Sequence, residues 1–484
     1  MRLKQSKLAK NAAIYSIFTL LQRGLGFFLL PVYTTVLATE ELGIISTSTA
    51  VISFLVLFFG LSLRGSVAYY FYEYKENNIA YLKKINGTNV VFILLFSLFG
   101  IAFLLLTKEW ILDTLFENIA FDPYVLLSLI SIFLQPLYFY YQSVLKAKQL
   151  AKKASILDFV YFGVMIGLTL ILIIGFNFQA EGALLANAVA SFLVFFLSLS
   201  GLRKDVIWGF NPSLLKKTLK YSLPILPHNL SGWAMNMVDK IMLNTIDSLS
   251  VVALFDVGSQ IGKIVNMISL GVNSAYAPWF FDQVKNDENS KINIAAITLK
   301  IVMLYSIIGV VVSWIAPEFI QIISKPAYHD TWKIVPIITT AFVINGFYFT
   351  FSYVFFLDKT KYLPVLTLVG AIVNIILNYL LITEYSYLGA AIASLLTKVF
   401  FASLVYYFSQ KLYAIPYRLW RIVSVITVGF MFSLVPLIVQ DYLEEFNKWW
   451  VLSIKVIFLS IFGGYYLMTY VTNIKNIIKR KNDT

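Results

Sequence analysis

The sequence predicts an all-α integral membrane protein of about 14 transmembrane helices, arranged as two parallel six-helix repeats plus two extra C-terminal helices. Three observations lead there. Hydrophobic residues fill 59% of the 484 positions and charged residues only 13%, against about 45–50% and about 25% in a soluble domain. Apolar runs of about 20 residues recur along the chain, each able to cross roughly 30 Å of hydrocarbon at about 1.5 Å per residue. Lys and Arg gather in every second gap: roughly 27 of the 38 basic residues lie in alternate gaps and the two tails. That sorting is the positive-inside signature of a multi-pass protein of the bacterial cytoplasmic (inner) membrane with both termini in the cytoplasm.

The spans are expected near 11–36, 43–70, 86–106, 123–145, 154–176, 181–200, 219–246, 250–279, 293–315, 331–357, 363–382, 387–408, 419–439 and 449–471. The basic opening Arg2, Lys4, Lys7 and Lys10 precedes an apolar segment too long for a signal peptide, with no small-residue cleavage site at its end. Span 1 therefore reads as retained. The basic gaps carry Lys83 and Lys84, then Lys146, Lys148, Lys152 and Lys153, then Arg203, Lys204, Lys216, Lys217 and Lys220, and finally Lys411, Arg418 and Arg421. The gaps between are short and acidic or neutral, with Glu40, Glu41, Asp113, Glu117, Glu181, Asp247, Glu384, Asp441, Glu444 and Glu445.

The chain also repeats itself. Gly182-Ala183-Leu184-Leu185-Ala186 opens span 6, and Gly389-Ala390-Ala391-Ile392-Ala393 opens span 12, 207 positions later. Tyr15-Ser16 recurs as Tyr221-Ser222 at an offset of 206. Six spans return the chain to its starting side, so the copies are parallel, as in transporters with a cavity between halves. The expected parts are an N-lobe over 1–205, a C-lobe over 206–410, and 411–484 holding spans 13 and 14 with a basic tail.

Charges inside spans cost roughly 2.5–3.5 kcal/mol each at mid-bilayer and so point to a wet cavity or a partner. They are Arg23, Arg64, Asp239, Lys240, Asp256, Lys263 and Lys398. The excess of cations suits an anionic ligand, and an Arg fork grips phosphate with two parallel hydrogen bonds. Arg23, Arg64, Lys263 and Lys398 are the candidate anion ligands; a snorkelling anchor or an interhelical ion pair is the structural alternative. Asp239 and Lys240 are neighbours that point in different directions. Asp256 and Lys263 share a face two turns apart. Lys455 reads as a snorkeller and Asp158 as a residue balanced by the basic loop beside it.

A second, oxygen-rich set comprises Asp239, Asn374, Asn378 and Thr397, with Ser394 near it. Such donors suit a hard monovalent cation, and hydrogen-bonded glue between helices is the alternative. Pro31, Pro224 and Pro227 are candidate hinges, because proline removes a helical hydrogen bond. Gly258 and Gly262 form a small-residue packing face. Tyr69 to Tyr72 and Tyr138 to Tyr141 read as interfacial belts.

Other classes recede. The chain has no Cys and two His, which removes disulfide and thiolate-metal chemistry. The net charge of +13 follows from the orientation rule, so no nucleic-acid partner is expected. Gly258 to Lys263 is one residue short of a phosphate loop and lies inside a span. No gap on the acidic side is long enough for a folded domain, and no protease or nucleophile motif is present, so an enzyme is not expected.

The motifs resemble those of the polysaccharide-exporter branch of the multidrug/oligosaccharidyl-lipid/polysaccharide exporter superfamily, and most closely the O-antigen (Wzx-type) oligosaccharide flippases. Ala9-Lys10-Asn11 through Arg23-Gly24-Leu25-Gly26, Pro31, and Leu42-Gly43 after Glu40-Glu41 carry the likeness in the first repeat. Leu223-Pro224, Asp239-Lys240 and Val252-Ala253-Leu254-Phe255 through Lys263 to Pro278 carry it in the second. The resemblance implies two lobes that alternate access to a cationic cavity and an undecaprenyl-diphosphate-linked oligosaccharide as substrate. It places Arg23, Arg64 and Lys263 where the lipid II branch binds diphosphate, with Lys263 standing where that branch has Arg. It makes Asp239, Asn374, Asn378 and Thr397 similar to that branch's cation cluster, with Asn378 in place of a carboxylate. No cofactor is expected beyond coupling Na+ or H+. Membrane lipid, a polysaccharide polymerase and a chain-length regulator are the expected partners. A multidrug/toxin extruder of the same fold and a membrane glycosyltransferase or polymerase stay open as alternatives.

Overall fold

The computed structural model describes residues 27, 29–286, 289–358, 362–444, 453, 455 and 457–464; span 1 up to residue 26, with Arg23, lies outside them, as does most of span 14. The described residues are helical, with no strand among them. The helices are α1 (Thr39–Phe59), α2 (Leu63–Tyr74), α3 (Ile79–Leu106), α4 (Leu126–Ala147), α5 (Ala151–Leu170), α6 (Gln179–Leu202), α7 (Pro212–Ser222), α8 (Leu226–Ile246), α9 (Leu249–Asn286), α10 (Asn289–Ile323), α11 (Val335–Ser352), α12 (Tyr362–Leu412) and α13 (Leu419–Glu444). Among the described residues, ten helical stretches are long and apolar enough to cross a membrane. Spans 11 and 12 merge into α12, whose helical path breaks at Ser386 with φ 55° and ψ −135°.

The chain packs as two compact units, one running to Asp256 with Leu363–Ala390, the other Val257–Tyr362 with the part from Ala391. In the first, α6 lies along α4 and α5, and α1 along α8. Its core gathers Leu37, Val51, Ile52, Leu55, Phe116, Ile132, Leu184 and Leu249. In the second, α10 packs between α11 and α13. There Gly258 and Gly262 meet Ile334 and Ile338: a Cβ on either would fall 2.5 or 2.4 Å from those side chains. The expected small-residue face is therefore a close helix contact.

Hydrogen bonds between loops sort the first unit into two ends. At the acidic end, Thr39 donates to Ser250 at 3.0 Å, Glu41 caps α6 by accepting from Ala180 N at 2.9 Å, and Asn118 donates to the Asn244 carbonyl at 3.3 Å. A carboxylate there suits the positive end of the helix dipole. At the basic end, Ile207 N donates to the Lys83 carbonyl at 3.0 Å, Asn86 to the Asp205 carbonyl at 3.2 Å, and Lys148 pairs with Asp205. Alternate gaps thus meet at the same end, as spanning requires.

Two expectations need correcting and two are met in part. Span 2 is not one helix: Gly60, then Leu61 at φ 41° and Ser62 at φ 55°, separate α1 from α2. Asp158 has the charge of Lys146 from the basic gap near it, as expected, and is also held by the Tyr138 hydroxyl and by Gln142 Nε2 at 2.6 Å. Lys455 does not snorkel: it is buried, donates to the Trp314 carbonyl at 3.0 Å and pairs with Glu318. The aromatic clusters are only half belt. Tyr69 and Tyr72 are exposed, whereas Tyr70, Tyr138 and Tyr140 are buried, Tyr140 donating to Asn86 Oδ1 at 3.0 Å.

Candidate functional site

The broken helix is the first element of the site. Non-helical backbone at membrane depth survives only where protein or water satisfies it. Here Ser62 opens α2 in the left-handed region, and its Oγ accepts from Asn229 Nδ2 of α8 at 2.9 Å. One turn away, Trp233 Nε1 donates to Ser53 Oγ at 2.8 Å. Arg64 follows the break in the first turn of α2, exposed, with its guanidinium 5.8 Å from the Phe139 ring. No described carboxylate pairs with it.

Lys240 on the same α8 behaves in the opposite way. Its Nζ sits 2.7 Å from Asp256 Oδ1 across the α8–α9 hairpin, and Ser46 of α1 donates to Asp256 Oδ2 at 2.6 Å. Both charges are buried. All three residues lie about seven positions from their helix ends at the acidic side, roughly 10 Å deep at helical rise. Just beyond them Gly43 presses on α9: a Cβ there would stand 1.9 Å from the Leu249 carbonyl oxygen, so only glycine allows this approach.

The oxygen-rich set is partly brought together by helix register. His228 Nδ1 meets Thr367 Oγ1 at 2.9 Å, and Ser386 donates to Asp247. Both pairs are 139 positions apart, so α8 and α12 run parallel and in step. The same offset puts Asp239 level with Asn378, and Asn374 one turn toward the basic end. Asp239, Asn374 and Asn378 are buried, and both side-chain amide atoms of Asn378 lack a hydrogen-bond partner. An orphaned amide with no exposed surface is costly unless a ligand or water completes it.

The other candidates belong to the second unit. There Lys263 is half-buried in α9, and Thr397 and Lys398 are buried in α12. Of the proline candidates, Pro224 falls in a short 3-10 stretch, Leu223–Ile225, between α7 and α8, Pro227 lies in the first turn of α8, and Pro31 is in helical backbone. Below that stretch α7 is clasped at the basic end. Lys217 Nζ stands 5.4, 4.9 and 5.5 Å from the Tyr70, Tyr74 and Tyr81 rings and donates to the Tyr74 hydroxyl at 2.6 Å. That hydroxyl holds the Lys217 ammonium above its ordinary pKa range.

Sequence reasoning singled out Lys240 and Asp256 but missed that they pair. Their near-equal distance from the Asp247–Ser248 turn was the available signal, since an antiparallel hairpin juxtaposes residues equidistant from its bend.

The family model for "Polysaccharide biosynthesis protein" matches residues 8–284, more than half of the chain. The chain belongs to that family. It is 24% identical over 420 residues to the Lsg locus putative protein 1 of Haemophilus influenzae, covering 85% of this chain and 94% of that protein. Among solved structures it is similar to the lipid II flippase MurJ in an inward closed conformation, with TM-score 0.77, 17% identity, and 96% and 100% of the two chains covered. An outward-facing multidrug-resistance MATE transporter is a more distant match, with TM-score 0.56, 17% identity, and 86% and 96% covered. The fold is therefore that of the multidrug/oligosaccharidyl-lipid/polysaccharide exporter superfamily. The chain is a multi-pass membrane protein of this family.

Proposed function

We propose that this family member flips an undecaprenyl-diphosphate-linked oligosaccharide from the inner to the outer leaflet of the bacterial cytoplasmic membrane by alternating access. The observation that carries the reading is Arg64, a guanidinium within a span that no described carboxylate neutralises. Such a charge calls for an anion from outside the protein, and phosphate oxygens fit its fork. The basic end faces the cytoplasm in this reading, with both termini, and the acidic end faces out. Two lobes, 1–205 and 206–410, rock against each other, bending near Pro31, Pro224 and Pro227, while 411–484 supplies the last two spans. Arg23, Lys263 and Lys398 join Arg64 in holding the diphosphate as the lipid tail stays in the bilayer.

Moving two negative charges outward releases about 2.3 kcal/mol each per 100 mV of inside-negative potential. Asp239, Asn374 and Asn378, with Thr397, would hold a coupling Na+ or H+ that resets the empty carrier. The orphaned Asn378 amide level with Asp239 supports that assignment. A polysaccharide polymerase and a chain-length regulator would receive the exported unit. A drug extruder is the weaker reading, because its cationic cargo would meet an uncompensated Arg64.

The deciding experiment replaces Arg64 by Ala in the native host. Loss of surface polysaccharide with lipid-linked precursor accumulating on the inner leaflet supports the assignment. Normal surface polysaccharide from a well-expressed Arg64→Ala chain refutes it.

A further inference from the structure

The segment that joins the two sequence repeats, 203–211, lies between α6 and α7 and outside any span, yet it exposes Ile207, Trp208 and Phe210, the two rings at 50% and 49%. Large apolar side chains left in water on a gap this short are costly. The segment is also pinned. Ile207 N donates to the Lys83 carbonyl at 3.0 Å, Asn86 Nδ2 donates to the Asp205 carbonyl at 3.2 Å, and Asn211 caps α7 by accepting from Ser213 N and Leu214 N. A Cβ on Gly87 would stand 2.0 Å from the Ile207 carbonyl oxygen, so glycine is what lets the turn press against α3. These contacts fix its height. The turn lies against residues 83–87 of α3, where the apolar run of that helix begins, and so at the boundary between hydrocarbon and headgroups.

Uncompensated positive charge surrounds the exposed rings. Arg203, Lys204, Lys216 and Lys220 are exposed, and the acids near them are engaged elsewhere: Asp205 pairs with Lys148, and Glu73 stands 3.9 Å from Lys217. Helix α7 buries Leu214, Leu215 and Thr218 where it packs on α2 and α3, which leaves Lys216 and Lys220, one turn apart, on its outer face. Tyr221 stacks on Tyr69 at 4.8 Å beside them. The orientation rule accounts for the cations. It does not account for two exposed rings held in place among them.

We propose that this turn, with the outer face of α7, is a binding site for anionic phospholipid. Ile207, Trp208 and Phe210 enter the boundary of headgroups and acyl chains, and Arg203, Lys204, Lys216 and Lys220 gather phosphate headgroups around them. An apolar tip with a basic rim fits an acidic bilayer surface, whereas a soluble anion would satisfy the cations and leave the rings in water. The site concerns neither the cargo nor ion coupling, and the membrane itself supplies the ligand.

The full chain carries no cysteine, so Ser213→Cys takes a single fluorophore at the exposed first turn of α7. In phosphatidylcholine nanodiscs the dye is quenched by a lipid spin-labelled at the top of its acyl chain, added at equal fraction as phosphatidylglycerol or as phosphatidylcholine. The phosphatidylglycerol form should act as though enriched around the dye by about tenfold. Lys216→Gln should lower that enrichment about fivefold, the factor one basic residue contributes near an acidic surface, and Lys216→Arg should keep it. Trp208→Ser with Phe210→Ser should weaken quenching by both lipids, as the turn leaves the boundary. Equal quenching by the two lipids around the unaltered turn overturns the site, and so does quenching that the Trp208 and Phe210 replacements leave unchanged. A preference abolished by inorganic phosphate would assign a soluble anion in place of the lipid and overturn it as well. No glycan enters the readout, so this result and the Arg64 result stand or fall separately.

Discussion

Arg64 and Lys240 look alike in sequence: each is a cation inside an apolar span. In the fold they are opposites. Lys240 is enclosed with Asp256 and Ser46 and its charge is spent inside the protein, whereas Arg64 follows a helix break, exposed, with only the Phe139 ring beside it. Breaking an enclosed pair strands a charge, while removing an uncompensated one strands nothing. A cation whose loss harms function without harming the fold is therefore the better sign of a ligand.

The strongest test of that contrast is Arg64→Ala, expected to abolish export while the purified protein melts at its normal temperature. Arg64→Lys should recover only part of the transport, because an ammonium lacks the planar fork. Next in size is Asp256→Asn, expected to destabilise by about 3–5 kcal/mol through the stranded Lys240. Replacing both partners by Met and Leu should restore most of the melting temperature in detergent. Equal melting losses for Arg64→Ala and Asp256→Asn would erase the distinction. Gly43→Ala should cost about 1–3 kcal/mol or more, because the new methyl meets backbone that cannot swing away. Ser46→Ala removes one hydrogen bond to a charged group, a smaller loss of about 1.5–3 kcal/mol at most, read as a modest drop in melting temperature. Tyr74→Phe at the exposed Lys217 cage should change stability least, within about 1 kcal/mol, since solvent screens that charge.

Much of the architecture could be read from one dimension. Apolar run length and alternating charge are local quantities, and they placed the helices and brought Lys83 beside Ile207 and Glu41 beside Ala180 at opposite ends. The packing face of Gly258 and Gly262 was legible for the same reason, being a spacing on a single helix. What stayed hidden was pairing. Lys455 with Glu318, and Asp158 with Tyr138 and Gln142, join residues whose partners lie on other helices, and no periodicity along one strand of sequence encodes them. The interruption at Gly60–Ser62 escaped too, because Leu61 and Ser62 adopt left-handed backbone that their side chains do not advertise. The candidate site was half readable: depth singled out Arg64 and Asp239, but only three-dimensional register put Asn378 at the height of Asp239.

The paired anchors His228–Thr367 and Asp247–Ser386 lie nineteen residues apart on both helices, which is about 28 Å of rod pinned at each extremity. Sliding α8 past that stretch of α12 by even one turn would strip both pins together, so the two must travel as one strut. Asp239 and Asn378 then keep their mutual spacing throughout a stroke. In the proposed cycle a stroke would alter which aqueous compartment reaches them, and would leave their mutual geometry as it is.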